Sequence, residues 1–371
     1  MKILQGDLRI GLKEGAVEDA IARLASQTVA RVQWANMLNG DIGETALLAR
    51  RGELQNVRMR LLHPLKFMLA TPAADLSDIA RQMPESFAVE DKFDGIRAQA
   101  HIARDESALL HGVSCFAADG QSARVALFSR TLDEITPAFP DLVAPLAELL
   151  SRGELILDGE IVPVRGAAIL PFQELQKRLG RKTPTSEILA QIPVAFIAYD
   201  ILYSDDRVVL DEPFEIRRAL LESLQLQPIS DAATVRCADS KTFEDVLQLD
   251  EEFDAARLRG NEGLMIKDPR SPYKPGRRGR DWLKLKRALA TLDVVVTSVE
   301  VGSGRRSKLL SDYTFAVRAS ETDATLLNIG KAYSGLTDAE LEELSQWFRA
   351  HTLQALRMAK CASSSRKSSS K

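Results

Sequence analysis

Apolar residues along this chain fall into short alternating runs, with a few near-continuous ones between them. Phe87, Ala88 and Val89 lead into Glu90-Asp91-Lys92-Phe93-Asp94-Gly95-Ile96-Arg97, after which Ile96, Ala98, Ala100 and Ile102 alternate with Arg97, Gln99 and His101. Period-two alternation predicts a half-buried strand. Asp94-Gly95 between two strand-like segments predicts a tight hairpin turn, with Lys92 at the bend and its amine aimed into a cleft. Leu155-Ile156-Leu157 predicts a buried strand ending at Asp158-Gly159-Glu160, and the nearly unbroken run Val194 to Tyr203 predicts a central one.

The same pattern divides the chain. Residues 1 to about 62 read as helical: Val17, Ile21 and Leu24 fall on one face, and Asp41-x-x-Glu44 has the form of a capping box. Pro64 to Pro72 reads as a linker, and residues 73–289 alternate strands with helices, as in an α+β domain. The polar stretch 103–126 predicts an inserted, exposed loop. From Asp293 three strands are expected, around Asp293–Thr297, Phe315–Val317 and Leu326–Ile329. Thr337-x-x-Glu340 then caps a helix with Leu341, Leu344, Trp347 and Phe348 on one side. Strands followed by one helix suggest an OB-fold, which needs five strands. Past Leu356 the chain becomes a Ser/Lys-rich tail of the kind that stays disordered. The expected division is 1–63, 64–290, 291–356 and 357–371.

Composition adds little. At 371 residues, with 45% hydrophobic and 27% charged residues, the chain has the make-up of a soluble globular protein of two or three domains. No membrane span is expected, and Cys115, Cys237 and Cys361 lie far apart with no Cys-x-x-Cys pair, which argues against a disulfide framework or a zinc site and fits a reducing cytoplasm. A net charge of −3 means that any nucleic-acid surface must be local. One such stretch is 267–287, with nine basic side chains against two acidic ones.

The order of the polar residues changes the picture. Lys-x-Asp-Gly-x-Arg stands at Lys92, Asp94, Gly95 and Arg97, and Phe128-Ser129-Arg130, Asp158-Gly159-Glu160, Tyr199-Asp200, Glu262-Gly263-Leu264-Met265-Ile266-Lys267 and Asp281-Trp282-Leu283-Lys284-Leu285-Lys286 follow. Each alone is weak; the ordered set resembles the motifs of the ATP-dependent DNA ligases, members of the covalent nucleotidyltransferases. The resemblance implies an ATP-grasp-like core of antiparallel sheets with helices, preceded by the remnant of an all-α DNA-binding domain, to whose closing part Leu8-Arg9-Ile10-Gly11-Leu12 is similar, and followed by an incomplete OB-fold. It implies transfer of AMP from ATP to Lys92, then to the 5′-phosphate of nicked double-stranded DNA, and its displacement by the 3′-hydroxyl. On this resemblance Glu90 selects adenine, Tyr199 stacks on it with Phe196 as second choice, and Arg97, Arg130, Glu160, Arg278, Lys284 and Lys286 hold the nucleotide. Glu160 and Glu262 are the acceptors for Mg²⁺. Attack needs the neutral amine, which nearby cations favour; Lys284, Lys286 and Arg97 are the candidates. Pro171 to Gln176 with Arg178 resembles a stretch found in bacterial members and is read as structural, with a DNA contact as the alternative.

The chain departs from the family at its end: nothing in 350–371 resembles the basic sixth motif that orients pyrophosphate, and Arg366 and Lys367 sit in a serine run. The expectation is a fragment or frame-shifted product that self-adenylates poorly yet seals a nick already bearing AMP. A monomer is expected. The alternatives are an RNA ligase or capping-type nucleotidyltransferase, and a non-catalytic nick-binding fragment.

Overall fold

A computed structural model of the chain describes residues 14–106, 111–179, 183–228, 234–287, 293–302, 304–320, 323 and 325–352. The Leu8–Leu12 stretch and the Ser/Lys tail lie outside them. The chain forms two compact units, Met1–Arg287 and Ala288–Lys371.

In the first unit, helices Glu14–Leu24, Val29–Asn39 and Ile42–Arg51 pack around Ile21, Val32, Ala35 and Ala49, whereas Leu24 is exposed. The Asp41 side chain caps the third helix through the Gly43 and Glu44 N–H groups. Strands follow in the order β1 Leu69–Pro72, β2 Phe87–Lys92, β3 Ile96–Arg104, β4 Val113–Phe116, β5 Ser122–Ser129, β6 Leu155–Arg165, β7 Ala168–Ile169 and β8 Val194–Ser204. Then come β9 Arg207–Val208, β10 Gln227–Pro228, β11 Val235–Cys237, β12 Ser240–Phe243, β13 Gly263–Lys267 and β14 Arg278–Leu285. They form a five-stranded sheet, β1-β14-β13-β2-β12, and a nine-stranded one in which seven strands run in the order β10-β11-β8-β6-β3-β5-β4 and the other two, β7 and β9, pair with β6 and β8. This is the expected α+β class, mostly antiparallel, with parallel pairs at β1/β14, β8/β11 and β10/β11.

Four expectations need correcting, the first being the strand end at Asp158-Gly159-Glu160, since β6 runs through these residues to Arg165. Asp94-Gly95 does not close a hairpin, because β2 and β3 belong to different sheets and the turn carries the chain from one to the other. Gly95 is needed for close approach: a Cβ there would lie 2.3 Å from the Ile161 carbonyl oxygen. The stretch 103–126 is not a loop, since β4 and most of β5 lie within it, and Ala123 and Val125 alternate into the core. Nor is 64–72 a linker, because Leu65, Phe67 and Met68 are buried and β1 completes the smaller sheet.

Alternation decides which side chains meet. One face of the large sheet buries Ala98, Ile102, Leu155, Leu157 and Phe196 against the helix Pro140–Ala147. One face of the small sheet buries Val89, Leu264, Ile266 and Leu283 with Ile79 and Phe253 of the helices Leu76–Gln82 and Leu249–Leu258. The remaining faces share a cluster in which Ile156, Leu202, Phe214, Tyr273 and Trp282 pack together. Arg178 is buried, bonding Asp141 and the Ala138 and Ile192 carbonyls, so it anchors the fold rather than facing DNA.

The second unit contains β15 Val295–Val301, β16 Leu310–Arg318 and β17 Leu326–Ala332, an antiparallel three-stranded sheet, and the helix Asp338–Ala350 with its Thr337/Glu340 capping box. Leu341 is buried, while Trp347 is half exposed and stacks on His351.

Asp200 is fully buried beside Asp158 on the neighbouring strand. Its charge is met by Arg217, whose Nε and Nη2 donate to it at 2.8 and 2.9 Å. Breaking a buried pair from one side strands the other charge. Arg217→Met is therefore expected to cost about 3–5 kcal/mol in urea unfolding; a cost under about 1 kcal/mol would contradict this packing.

Candidate active site

The uncommitted parts of the two inner faces enclose a cavity of about 470 Å³. Register explains its lining. On the small sheet, Met265 pairs with Glu90 and with Lys284, and Lys267 pairs with Trp282, so these residues share one face with Lys92. On the large sheet, Arg97 pairs with Glu160 across β3/β6, and Tyr199 joins them from β8. Arg130, just past the end of β5, and Arg278, at the start of β14, complete the ring with Lys286. Residues as distant as Glu90 and Lys286 thus line one space. Phe196 points the other way, into the core behind β8, and does not line the cavity.

Glu262 is not part of the lining, but it pairs with two residues that are. Its Oε2 lies 2.5 Å from Lys92 Nζ, and its other oxygen bonds Lys286. Burial alone would raise this carboxyl, but Lys286 and Lys92 outweigh burial and hold it below the usual carboxylate range. Lys284 is pushed down, by burial first and then by the Lys286 and Lys92 charges. Cations do cluster here as the sequence suggested, yet the direct partner of Lys92 is an anion.

Arg97 lies in the cavity wall with most of its hydrogen-bonding capacity spent. Nε and Nη2 donate to Asp158 at 3.1 and 2.7 Å, and Nη1 donates to the Met68 carbonyl at 2.7 Å. Tyr273 donates to the same aspartate, and the guanidinium stands 5.8 Å from the Tyr199 ring centroid. The side chains of Arg130 and Arg278, by contrast, make no hydrogen bond or ion pair among the described residues, which leaves their forks open to an anion.

Lys267, Trp282 and Met265, which stood in the motifs with no role assigned from sequence, also line the cavity. Lys267 stood at the end of the Glu262–Lys267 motif and in a basic run without a role of its own, but its place two residues after Met265 puts it on the cavity face. Its ammonium pairs with Glu90 at 2.6 Å, both side chains nearly inaccessible to solvent.

Residues 115–286 match the model of the ATP dependent DNA ligase domain. A protein of Koribacter versatilis described as a probable DNA ligase is 48% identical over 372 residues, covering 95% of this chain and 60% of its own length. A DNA ligase of Archaeoglobus fulgidus is 35% identical over 351 residues, covering 94% of this chain and 59% of its own. The solved structure Pmar-Lig_Pre. aligns with a TM-score of 0.55 at 19% identity, over 94% of this chain and 75% of its own, a likeness of fold. The chain spans about 60% of the length of these two curated relatives.

Glu160 carries a pH signature. Burial pushes its carboxyl up to about 7, against smaller downward pulls from Lys92 and Arg97. Between the ordinary value of 4.5 and about 7, the folded chain holds a proton that the unfolded chain has lost, so stability falls as pH rises through that window. Glu160→Gln stays neutral and is expected to be more stable than the parent at pH 8, by up to about 3 kcal/mol, with the difference vanishing by pH 4. Urea unfolding at the two pH values checks this, and a pH-independent difference would contradict it.

Proposed function

This chain belongs to the ATP-dependent DNA ligases, and from that premise we propose that it seals nicks in double-stranded DNA through an AMP adduct on Lys92. The observation that carries the reading is the convergence of Lys92, Glu160, Glu262, Lys284, Lys286 and two open arginines around one cavity between two sheets. The first unit holds that cavity, and we assign residues 64–290 as the adenylation domain.

Lys92 Nζ attacks the α-phosphorus of ATP: a P–N bond forms, the bond to the β-phosphate oxygen breaks and pyrophosphate leaves. A 5′-phosphate oxygen of the nick then takes the AMP, breaking the P–N bond. Finally the 3′-hydroxyl attacks the 5′-phosphorus and AMP departs. Phosphoryl transfer of this kind depends mainly on positioning and charge neutralisation. Lys92 must first leave Glu262 and give up a proton, and Lys284, Lys286, Arg130 and Arg278 stand where phosphate oxygens need donors. Tyr199 offers the base a flat face, and Glu90 offers its exocyclic amine an acceptor.

Among the described residues no cluster of three or more His, Cys, Asp or Glu side chains could enclose a metal. Glu160 and Glu262, both close to Lys92, still fit Mg²⁺, which commonly binds one or two carboxylates together with substrate phosphates. Bound there, the ion would neutralise phosphate charge. Among the described residues no helix is long and apolar enough to cross a membrane. We take the working form to be a cytoplasmic monomer.

Two assays test the reading. Incubation with ATP radiolabelled at the α-phosphate is expected to leave acid-labile label on the parent and none on a folded Lys92→Ala variant. The parent is also expected to seal a nick already carrying AMP. A variant that labels as well as the parent would place the nucleophile elsewhere.

A further inference from the structure

We infer that Lys267 is a positioning residue that sets the choice of nucleobase by fixing which atom Glu90 turns to the base; this rests on the adenylation reading for what the cavity binds. Glu90 and Lys267 lie diagonally across β2 and β13, since Glu90 pairs with Met265 and Lys267 with Ala88. Glu90 Oε2 takes the ammonium at 2.6 Å, and Glu90 Oε1, also buried, has no hydrogen-bond partner among the described residues. A buried acceptor left empty is costly unless a ligand fills it, and Glu90 lines the cavity.

Lys267 is itself held in place. Its Nζ lies 4.4 Å from the ring centroids of Phe214 and Trp282 and 5.1 Å from that of Tyr199, and 3.4 Å from the Tyr199 carbonyl oxygen. A cation among aromatic faces is stabilised by their quadrupoles, more so when desolvated. One ammonium therefore touches both the aromatic proposed to stack on the base and the carboxylate proposed to read its edge. Arg218 also feels the Glu90 charge, but its hydrogen bond goes to Glu222.

The direction of recognition follows from the donor inventory. An ammonium can only donate, so it claims an oxygen of whatever side chain stands at position 90. With Glu90, the atom left over is an acceptor, which suits the amino group at position 6 of adenine and opposes the oxo group of a 6-oxopurine. With glutamine, Lys267 would take the amide oxygen and leave the amide NH₂ facing the base, reversing the preference.

The test is calorimetric titration of ATP and of inosine triphosphate, without Mg²⁺, into the parent, Lys267→Met, Glu90→Gln and the double variant. The parent should bind ATP at least about tenfold more tightly than inosine triphosphate, roughly the discrimination of one charge-assisted hydrogen bond. Lys267→Met should shrink that ratio at least about fivefold, and Glu90→Gln should favour inosine triphosphate. The double variant should show no preference. Each single change leaves one charge buried without its partner, so thermal unfolding is followed throughout. If neither single variant folds, the double variant, which buries neither charge, carries the test against the parent. A parent that does not distinguish the nucleotides, or an ATP preference that survives loss of Lys267 or of both charges, overturns the proposal. Binding is read without turnover. Failure to label Lys92 would count against the adenylation reading alone.

Discussion

Charge balance between two facing sheets is the constraint on which the rest of this structure depends. Two sheets face each other, and their inner faces carry ionisable side chains that could not be buried singly without a cost of several kcal/mol each. They are held in partnership: partly buried Arg97 with buried Asp158, and the fully buried pairs Arg217 with Asp200 and Lys267 with Glu90. These pairs sit beside or behind the cavity and hold its walls. Closer to Lys92 the balance is deliberately loose. Glu262 is shared by two lysines, Glu160 is desolvated enough to be raised to about 7, and two arginines at the rim have open forks. A polyanion would find here the donors that the protein has not used on itself.

The strands themselves were legible, because alternation in β3 is strong and the apolar runs of β6 and β8 are long. So were most of the residues that line the cavity, since the motifs follow one another in order and lie on strands or at their ends. What could not be read was register. Lys267 looked like one member of a basic run until β13 was seen to pair with β2, more than 170 residues earlier, placing it beside Glu90. Arg97 was read as a nucleotide contact, and it does line the cavity. Its partnership with Asp158 depends on β3 and β6 pairing, which no local pattern announces.

The corrections share a cause. Asp94-Gly95 has hairpin chemistry, and local sequence cannot say whether the two flanking strands will pair with each other or with others. Residues 103–126 look irregular because β4 and β5 lie near an edge, where one face is solvated and the apolar signal is diluted by polar neighbours. The segment 64–72 contains two prolines, which suggested a linker, but Pro72 ends an edge strand, a position proline tolerates.

The most direct test of the account is to find where the AMP goes. After incubation with ATP and Mg²⁺, the protein would be digested at neutral pH and its peptides mapped by mass spectrometry before and after mild acid. The account expects an adenylyl adduct on the peptide carrying Lys92, localised to that side chain and lost in acid as a phosphoramidate would be. An acid-labile adduct on any other lysine, with Lys92 unmodified, would contradict it.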